Sequence, residues 1–264
     1  MSLKLPLRRA AAALATAVLV AVTIPLGAQA PADKAPAADA LPPAREIIDR
    51  HVKAIGGREA VLAHVSTHAT GTFAVAASGM AGTVEIYGAS KPDRTLLRIT
   101  IPGLGQIASG FDGSHGWSTS PLTGPMLQEG KELEQSKFDA DFYGELRDPA
   151  RFASISTVEK APFEGRPCYK VRLVRKDGTE DFDYYDAATG LKAGSVNTRE
   201  TPMGTVTITS TETDYRKFGK LLMPTTIKQR TMAIEQTVTI STVEYDNVPP
   251  GTFDPPAEIK ALIK

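Results

Sequence analysis

The sequence has a single cysteine, Cys168, in 264 residues. One thiol cannot form an intramolecular disulfide or a cysteine-based zinc site, so stability must come from a buried core. Neither sign of charge is in excess, because 30 Lys and Arg balance 30 Asp and Glu. Neutralising phosphates needs a basic excess, so we expect no nucleic-acid partner. The apolar fraction of 42% is ordinary for a globular domain and excludes a wholly disordered chain.

The N-terminal 30 residues have the composition of a secretory signal peptide. Three basic residues precede an uncharged apolar run over residues 10–24, and Ala-Gln-Ala at 28–30 has the small-x-small form that signal peptidase cleaves. The apolar run is too short to span a bilayer comfortably, which makes an uncleaved anchor helix the less favoured alternative. We predict that residues 1–30 are removed on export across the inner membrane and that the mature protein is periplasmic.

A Pro- and Ala-rich segment over residues 31–43 has no apolar period and predicts a flexible linker. One domain is expected to follow, over residues 44–264. It opens with an amphipathic helix over residues 44–55, which follows two prolines and stops at a Gly-Gly pair. A second short helix is predicted over residues 58–64.

From Thr67 the sequence changes to β-branched runs separated by turn residues, at the spacing of an antiparallel meander. No helices alternate with the runs, so a parallel doubly wound sheet is disfavoured. The clearest predicted strands are 70–77, 82–87, 95–101, 106–111, 152–158, 169–174, 181–185, 191–199, 205–213, 225–233 and 236–245.

Threonines alternate with aliphatic residues in several runs, which predicts a sheet with one wet and one dry face. In the last run the apolar positions switch parity before Val243 and Tyr245, which predicts a bulge that curves the sheet. The available cover for the dry face is the N-terminal helix pair and two further helices, over residues 129–143 and 256–263. The fold class is therefore predicted as mainly β with short helices (α+β), a curved antiparallel sheet lidded by helices.

These few short helices are too small to cover the whole apolar face of the sheet, which leaves two possible structures. Either the sheet closes on itself, or part of the dry face lines a cavity that the helices cover incompletely, which makes a hydrophobic ligand site. A sealed core is an equally weighted interpretation of the same residues. The candidate lining residues, all at apolar strand positions, are Val84, Ile86, Leu97, Ile99, Ile107, Val206, Ile208, Val238 and Ile240.

The polar residues do not predict catalysis or a metal site. His64 and His68 have i,i+4 spacing, but His68 falls in the first strand and no third ligand stands at a familiar distance. Asp112, Ser114 and His115 occupy one tight turn, where adjacent side chains diverge, and hairpin geometry explains them better than a hydrolytic triad. We therefore expect no enzyme, no cofactor and no metal.

One predicted strand carries four acidic residues, Glu180, Asp181, Asp183 and Asp186. They alternate with aromatic residues, a pattern typical of a solvated face, and we prefer this interpretation to a pair of catalytic carboxylates. Cys168 lies in a strand and is predicted to be a small core residue rather than a nucleophile.

Several short motifs together resemble a known family. They are the helix that ends in Gly56-Gly57, Gly82–Tyr87 running into Lys91-Pro92, Gly110–Trp117, Asp186–Leu191 and Phe253–Pro256. With these motifs the mature chain resembles the periplasmic lipoprotein-sorting carriers of the LolA/LolB type. The resemblance implies a half-barrel sheet of about eleven antiparallel strands, lidded by short helices over an apolar cavity. It also implies acyl chains of lipids or lipoproteins as partners, with transient contacts to a membrane or a membrane protein.

In the soluble carriers of that family an arginine before a strand-ending proline latches the lid by hydrogen bonds to backbone carbonyls. The aligned residue here is Lys91. An ammonium lacks the planar fork of a guanidinium, so we expect a similar latch to be weaker or absent. Arg94 and Arg98 are close enough in sequence to substitute, although a strand-face salt bridge is the more ordinary interpretation.

The segment over residues 121–127, which follows Trp117, is predicted to be a loop with exposed apolar side chains, chiefly Leu122, Met126 and Leu127. We expect this loop to flank the cavity mouth or to touch a membrane or partner, with a simple packed loop as the alternative.

The predicted function is that of a periplasmic carrier that shelters acyl chains and delivers them to the outer membrane. Exposing an acyl chain to water costs about 0.8 kcal/mol per methylene, so a carrier needs a dry surface but no catalytic group. The alternative is a periplasmic sensor or interaction module that binds envelope lipids or a membrane partner without transporting them.

Overall fold

The computed structural model describes residues 40–201, 204–232 and 234–263. The predicted signal peptide and nearly all of the predicted linker lie outside the described residues. The chain from Leu41 onward forms one unit. No helix in the described part of the chain has the length and apolar character that crossing a membrane requires.

The α-helices of the described chain are four, all short: α1 Ala44–Ala54, α2 Arg58–Leu62, α3 Gly130–Asp139 and α4 Ala257–Lys260. Single 3₁₀ turns lie at Ala76–Ser78, Gly144–Leu146 and Pro149–Arg151. α1 buries Ile47, Ile48 and Val52 along one stripe, as its apolar period predicts. The helix predicted over residues 129–143 is shorter than expected, because it ends four residues earlier and the chain continues irregularly.

The described strands are β1 Ser66–Val75, β2 Met80–Ala89, β3 Arg94–Ile101, β4 Gly105–Phe111, β5 Gly116–Ser120, β6 Gly124–Leu127, β7 Phe152–Phe163, β8 Arg166–Arg175, β9 Glu180–Asp186, β10 Lys192–Thr201, β11 Gly204–Thr213, β12 Arg216–Phe218, β13 Leu221–Met223, β14 Thr226–Thr231 and β15 Ile234–Tyr245. Thirteen of these strands form one sheet in the order β6-β5-β4-β3-β2-β1-β15-β14-β11-β10-β9-β8-β7, and β12 pairs with β13 separately. The predicted class is confirmed, with thirteen strands in the open curved sheet rather than about eleven.

The segment predicted as a loop over residues 121–127 is a strand from Gly124 onward. Gly124 has φ +74°, a conformation that glycine adopts without steric cost, and it closes a tight hairpin between β5 and β6. Pro125 lies in β6, where an edge strand tolerates its missing N–H. The strand was hidden in the sequence because its glycine and proline are turn signals.

The bulge predicted from the parity switch is confirmed between β1 and β15. Thr70 pairs with Thr242, whereas the next residue, Gly71, pairs with Ile240, so Ser241 is an extra residue on β15. Gly71 is required by a close approach, since a Cβ there would lie 2.0 Å from the Thr239 carbonyl oxygen. A bulge of this kind bends a strand and increases its twist.

Strand register separates two faces of the sheet. Val84 pairs with Ile99, which pairs with Ile107, and these side chains share the face that α1, α2 and α3 cover. We call it the inner face. On the outer face, Leu96 and Trp117 pack in a cluster beneath the C-terminal segment that contains α4. Both faces of the sheet are therefore covered in this region.

Candidate ligand-binding site

A cavity of about 280 Å³ lies between the inner face and its helical cover. β1, β2, β3 and β15 contribute the sheet side, and α1, α2 and the segment after α3 contribute the cover. The β12–β13 hairpin adjoins it. The lining residues are His51, Ile55, Val61, His64, Thr67, Ile86, Tyr87, Gly88, Thr95, Ala140, Asp141, Phe142, Glu145, Glu212, Tyr215, Leu221, Leu222, Met223, Pro224 and Tyr245.

Gly88 leaves room for this cavity on β2. A Cβ at this position would lie 3.3 Å from Thr67 Oγ1 and 3.4 Å from Phe142 Cδ2. A larger side chain would therefore occupy the space between the sheet and the segment after α3. A second cavity of about 170 Å³ lies under α3 and shares Ile86 with the first, so the two adjoin along the inner face.

Six of the nine predicted lining residues lie together. Ile86 lines both cavities, and Leu97 lines the smaller one. They pack in one cluster with four others of the predicted set: Val84, Ile99, Ile107 and Val238. We call this inner surface of β1–β4 and β15 the apolar wall. Most of its side chains are only half-buried, so the wall continues the cavities as an accessible dry surface.

The other three predicted lining residues lie apart from both cavities. Val206 and Ile208 are half-buried on β11, and Ile240 is buried beside the bulge of β15. None of the three belongs to the cluster that forms the apolar wall.

Sequence reasoning missed most of the cavity because its cover comes from helices and irregular segments. Ile55 and Phe142 line the cavity from the chain that follows α1 and from the chain that follows α3. Leu221–Met223 lines it from β13. The available signal was this apolar triplet, which stands between a glycine-containing turn and a proline.

Several inner positions of β8–β11 carry charged side chains. We call this group the ionic wall, and it consists of Arg175, Asp181, Asp183, Lys192, Arg199 and Glu212. Lys192 Nζ lies 3.3 Å from Glu145 Oε1 and 3.0 Å from Glu212 Oε1. Glu145, in the 3₁₀ turn after α3, also lies 3.0 Å from His51 Nε2 on α1. The Tyr215 hydroxyl lies 3.1 Å from Glu212 Oε2. Polar contacts therefore run from α1 to β11 beside the cavity.

The pKa values of the three charged groups in this network, Glu145, Glu212 and Lys192, shift in different directions. Burial disfavours ionised Glu145, but Lys192 and the hydrogen bond with His51 outweigh it and hold the Glu145 pKa well below its usual value. Burial raises the pKa of Glu212, and Lys192 offsets this only in part. Burial also opposes the charged form of Lys192, yet the two carboxyl groups raise its pKa. The ammonium of Lys192 is therefore the shared ion-pair partner of Glu145 and Glu212.

The expectation of a solvated acidic strand is wrong for β9. Asp181 is 4% exposed and Asp183 is 1% exposed, and both point into the ionic wall. Arg147 Nε donates to Asp183 Oδ2 at 2.7 Å, and Arg175 Nε donates to Asp181 Oδ2 at 2.7 Å. These carboxylates can be buried because each faces a guanidinium. Alternation along β9 does not reveal those partners, since they lie on other elements.

α3 spans the inner face as a lid, because it contacts β4 and β5 on one side and β10 on the other. Its last residue, Asp139, lies 3.3 Å from Arg175 Nη2 and 3.2 Å from Arg199 Nε. The Phe138 ring centroid lies 4.0 Å from Cζ of Arg175 and 4.8 Å from Cζ of Arg151. Ion pairs and cation–π contacts therefore hold this end of the lid to the ionic wall.

The residues predicted to latch the lid lie elsewhere. Lys91 is exposed in the turn between β2 and β3. Cζ of Arg94 lies 4.7 Å from the ring centroid of Phe253, which belongs to the cover of the outer face. Three other arginines contact the lid instead. Arg151 Nη2 donates to the backbone carbonyl of Phe138 at 2.7 Å, and Arg175 and Arg199 face the carboxylate of Asp139.

The four residues near β5 and β6 that were predicted at a lid or mouth do not lie together. Trp117 is 3% exposed on the outer face, and Leu127 packs against the same cluster. Leu122 is 77% exposed in the turn between β5 and β6, and Met126 is 39% exposed on β6. A role for the last two at a mouth or membrane stays a prediction.

The histidines considered as metal ligands are held in separate contacts. His64 Nδ1 lies 2.7 Å from Asp246 Oδ2. The His68 ring stacks on Tyr87 with centroids 4.1 Å apart. In the described parts of the chain, no three His, Cys, Asp or Glu side chains are grouped for metal binding.

The remaining reactive candidates have structural contacts. Asp112 Oδ1 accepts hydrogen bonds from the backbone N–H groups of Ser114 and His115, both at 2.7 Å, which is the predicted hairpin geometry. Burial opposes ionisation of Asp112, but these bonds lower its pKa. Cys168 is fully buried, as predicted, and burial raises the pKa of its thiol.

Comparison with known proteins identifies the fold. No protein-family model matches the sequence, and no curated protein matches it. An outer membrane lipoprotein-sorting protein domain from Vibrio parahaemolyticus is 12% identical, with 80% of this chain and 96% of that chain covered and a TM-score of 0.52. A DUF1329 family protein from Desulfovibrio piger is 12% identical, with 81% and 98% covered and a TM-score of 0.51.

A LolA superfamily protein from Nitrosomonas europaea is also 12% identical, with 81% of this chain and 99% of that chain covered and a TM-score of 0.50. Identity at this level establishes the fold alone. The chain has a LolA-like fold, and the resemblance seen in its sequence motifs is confirmed at that level.

Proposed function

We propose that this chain is a periplasmic binding protein that shelters acyl chains of lipids or lipoproteins and carries them through an aqueous compartment. The observation that carries the proposal is a cavity that continues into a partly exposed apolar wall beneath a helical lid. Two further features support it. One protein with this fold, from Vibrio parahaemolyticus, is named for outer membrane lipoprotein sorting. The N-terminal sequence has the pattern of an export signal.

The size of the site fits part of an acyl chain. A cavity of about 280 Å³ is near the lower limit for ligand pockets, so the apolar wall must supply the rest of the dry surface. Ile86, Leu97 and Ile99 are half-buried and would lose their remaining contact with water when a chain lies on them. Each buried methylene contributes about 0.8 kcal/mol, which makes a continuous wall effective.

The lid is held by partly exposed side-chain contacts that can break while the sheet stays folded. Asp139 is 39% exposed, and such an accessible carboxylate gains about 1 kcal/mol or less from each ion pair. Opening this end of α3 also separates Phe138 from Arg175 and Arg151, so these contacts add to the cost of breaking the two ion pairs. A carrier needs a cover of this kind, because cargo must enter and leave without unfolding the sheet.

A charge placed in the dry surface tests the proposal. Wild-type protein purified from a bacterial periplasm is expected to retain lipid, detected by solvent extraction and mass spectrometry. Ile86→Asp is expected to reduce the retained lipid about tenfold or more, because a chain cannot cover a carboxylate without desolvating it.

Val158→Asp is the matched control, since this valine is 43% exposed on edge strand β7 and should retain lipid as the wild type does. Circular dichroism and urea unfolding establish that each variant is folded. Absence of lipid from folded wild type, or equal retention by folded Ile86→Asp, would overturn the proposal.

A further inference from the structure

The cavity of about 280 Å³ has acidic side chains in its lining. Three carboxyl side chains line it, Asp141, Glu145 and Glu212, and among its described lining residues there is no lysine or arginine. Asp141 is paired with Arg151, whose Nε lies 3.2 Å away. Glu145 and Glu212 share the single ammonium of Lys192, which does not line the cavity. When both glutamates are ionised, this one ammonium leaves one negative charge without a cation.

The neighbouring guanidinium does not remove this imbalance. Arg147 is already engaged, because its Nε donates to Asp183 Oδ2 at 2.7 Å. The Glu145 side chain is 45% exposed and lines the cavity, so a ligand there can reach its carboxylate.

His51 provides an independent sign of a missing contact. Its side chain is 2% exposed and lines the cavity. Nε2 lies 3.0 Å from Glu145, whereas Nδ1 has no hydrogen-bond partner within the described residues. When the proton on Nε2 points to the carboxylate, Nδ1 of a neutral ring is an acceptor. A buried acceptor without a partner favours a ligand that donates.

We infer that the cavity selects its ligand by the ligand's polar end. It binds a single-chain amphiphile whose polar end donates hydrogen bonds, and it prefers an amine to a hydroxyl. It rejects a ligand that ends in a carboxylate or phosphate. The inference rests on the proposed function and names the ligand class for the same site. The chain lies against Ile86 and Phe142. The polar end donates to Glu145, Glu212 and His51.

The preference follows from the charges around the cavity. A ligand ammonium supplies the second positive charge that Glu145 and Glu212 need beside Lys192. Its three N–H groups match the three acceptors on Glu145, Glu212 and His51. A hydroxyl supplies one donor and no charge. A carboxylate or phosphate adds a negative charge next to Glu145 and Glu212, where the cavity supplies no cation to offset it.

Three ligands of equal chain length test the inference: dodecylamine, 1-dodecanol and dodecanoate. Each is titrated below its aggregation concentration against purified full chain loaded with the neutral fluorescent probe N-phenyl-1-naphthylamine. Dodecylamine is expected to displace the probe at about tenfold lower concentration than dodecanoate, with dodecanol between them. Glu145→Gln is expected to weaken dodecylamine about tenfold and to leave dodecanol unchanged.

Glu212→Gln repeats the test should Glu145→Gln fail to fold, and Glu235→Gln is the control, since that glutamate is 48% exposed on β15 away from the cavity. Equal displacement by all three ligands, or tighter binding of dodecanoate, overturns the inference and leaves the proposed function standing. Failure of folded wild type to bind the probe or any of the ligands overturns the proposed function as well.

Discussion

The apolar wall and the ionic wall are built from similar strands and bury opposite chemistry. On β2 the inner positions include Val84 and Ile86, and on β9 they include Asp181 and Asp183. Both pairs alternate with side chains on the outer face. What differs is the set of groups facing them, aliphatic side chains in one case and guanidinium groups in the other. Alternation identifies residues that share a face, but it does not identify which face is inside.

The two walls suit different tasks. Apolar contacts are non-directional, so the apolar wall can receive a chain in several positions. Charge-assisted hydrogen bonds fix geometry, so the ionic wall can position α1, the lid and the turn between them. The contacts of Asp139, Glu145 and Arg147 with the sheet are all of this directional kind.

Removing one partner from the ionic wall should have the largest effect on stability. Asp183→Ala leaves the Arg147 guanidinium without its carboxylate in a buried site. We expect the free energy of unfolding to fall by about 3–5 kcal/mol, the usual cost of breaking a buried ion pair. Urea unfolding followed by circular dichroism measures it.

Glu180→Ala is the control on the same strand, because this carboxylate pairs with Arg172 on the partly exposed outer face. It should have a much smaller effect. Equal losses for the two variants would mean that the ionic wall is not more important to stability than the outer surface.

A truncation in the apolar wall should have an intermediate effect. Val84→Ala removes two methyl groups from a side chain that is 1% exposed, and we expect a loss of about 2 kcal/mol from transfer and cavity terms. Val238→Ala makes the same change at a half-buried position of the cluster and should cost less than about 1 kcal/mol. Thermal unfolding of both variants compares them, and similar losses would show that the wall is sealed rather than accessible.

The smallest effect on stability is expected at the lid. Asp139→Asn keeps the side-chain shape but removes the charge that faces Arg175 and Arg199, and should cost about 1 kcal/mol or less. Hydrogen exchange of the α3 amides should nevertheless become faster, because the lid opens more often. Glu134→Gln, an exposed change on the same helix, should leave exchange unchanged. Unaltered exchange in Asp139→Asn would show that these ion pairs do not hold the lid.

Much of the fold was accessible from local patterns. The strand runs, the first helix and the bulge at Ser241 follow from period, turn residues and a change of parity. β6 was not recognised, because Gly124 and Pro125 are turn residues that an edge strand tolerates. The predicted lining set contained Ile86 but not Phe142, because the cover is irregular chain without a period.

Local sequence was enough to establish a curved antiparallel sheet with a dry face and too little helix to seal it, since backbone period and turn geometry depend on near neighbours. The folded chain alone assigned the inner face, buried Asp183 beside Arg147 and enclosed Glu145 and Glu212 around Lys192. Burial of a charge depends on a partner brought from far along the chain, and no short-range pattern records that partner.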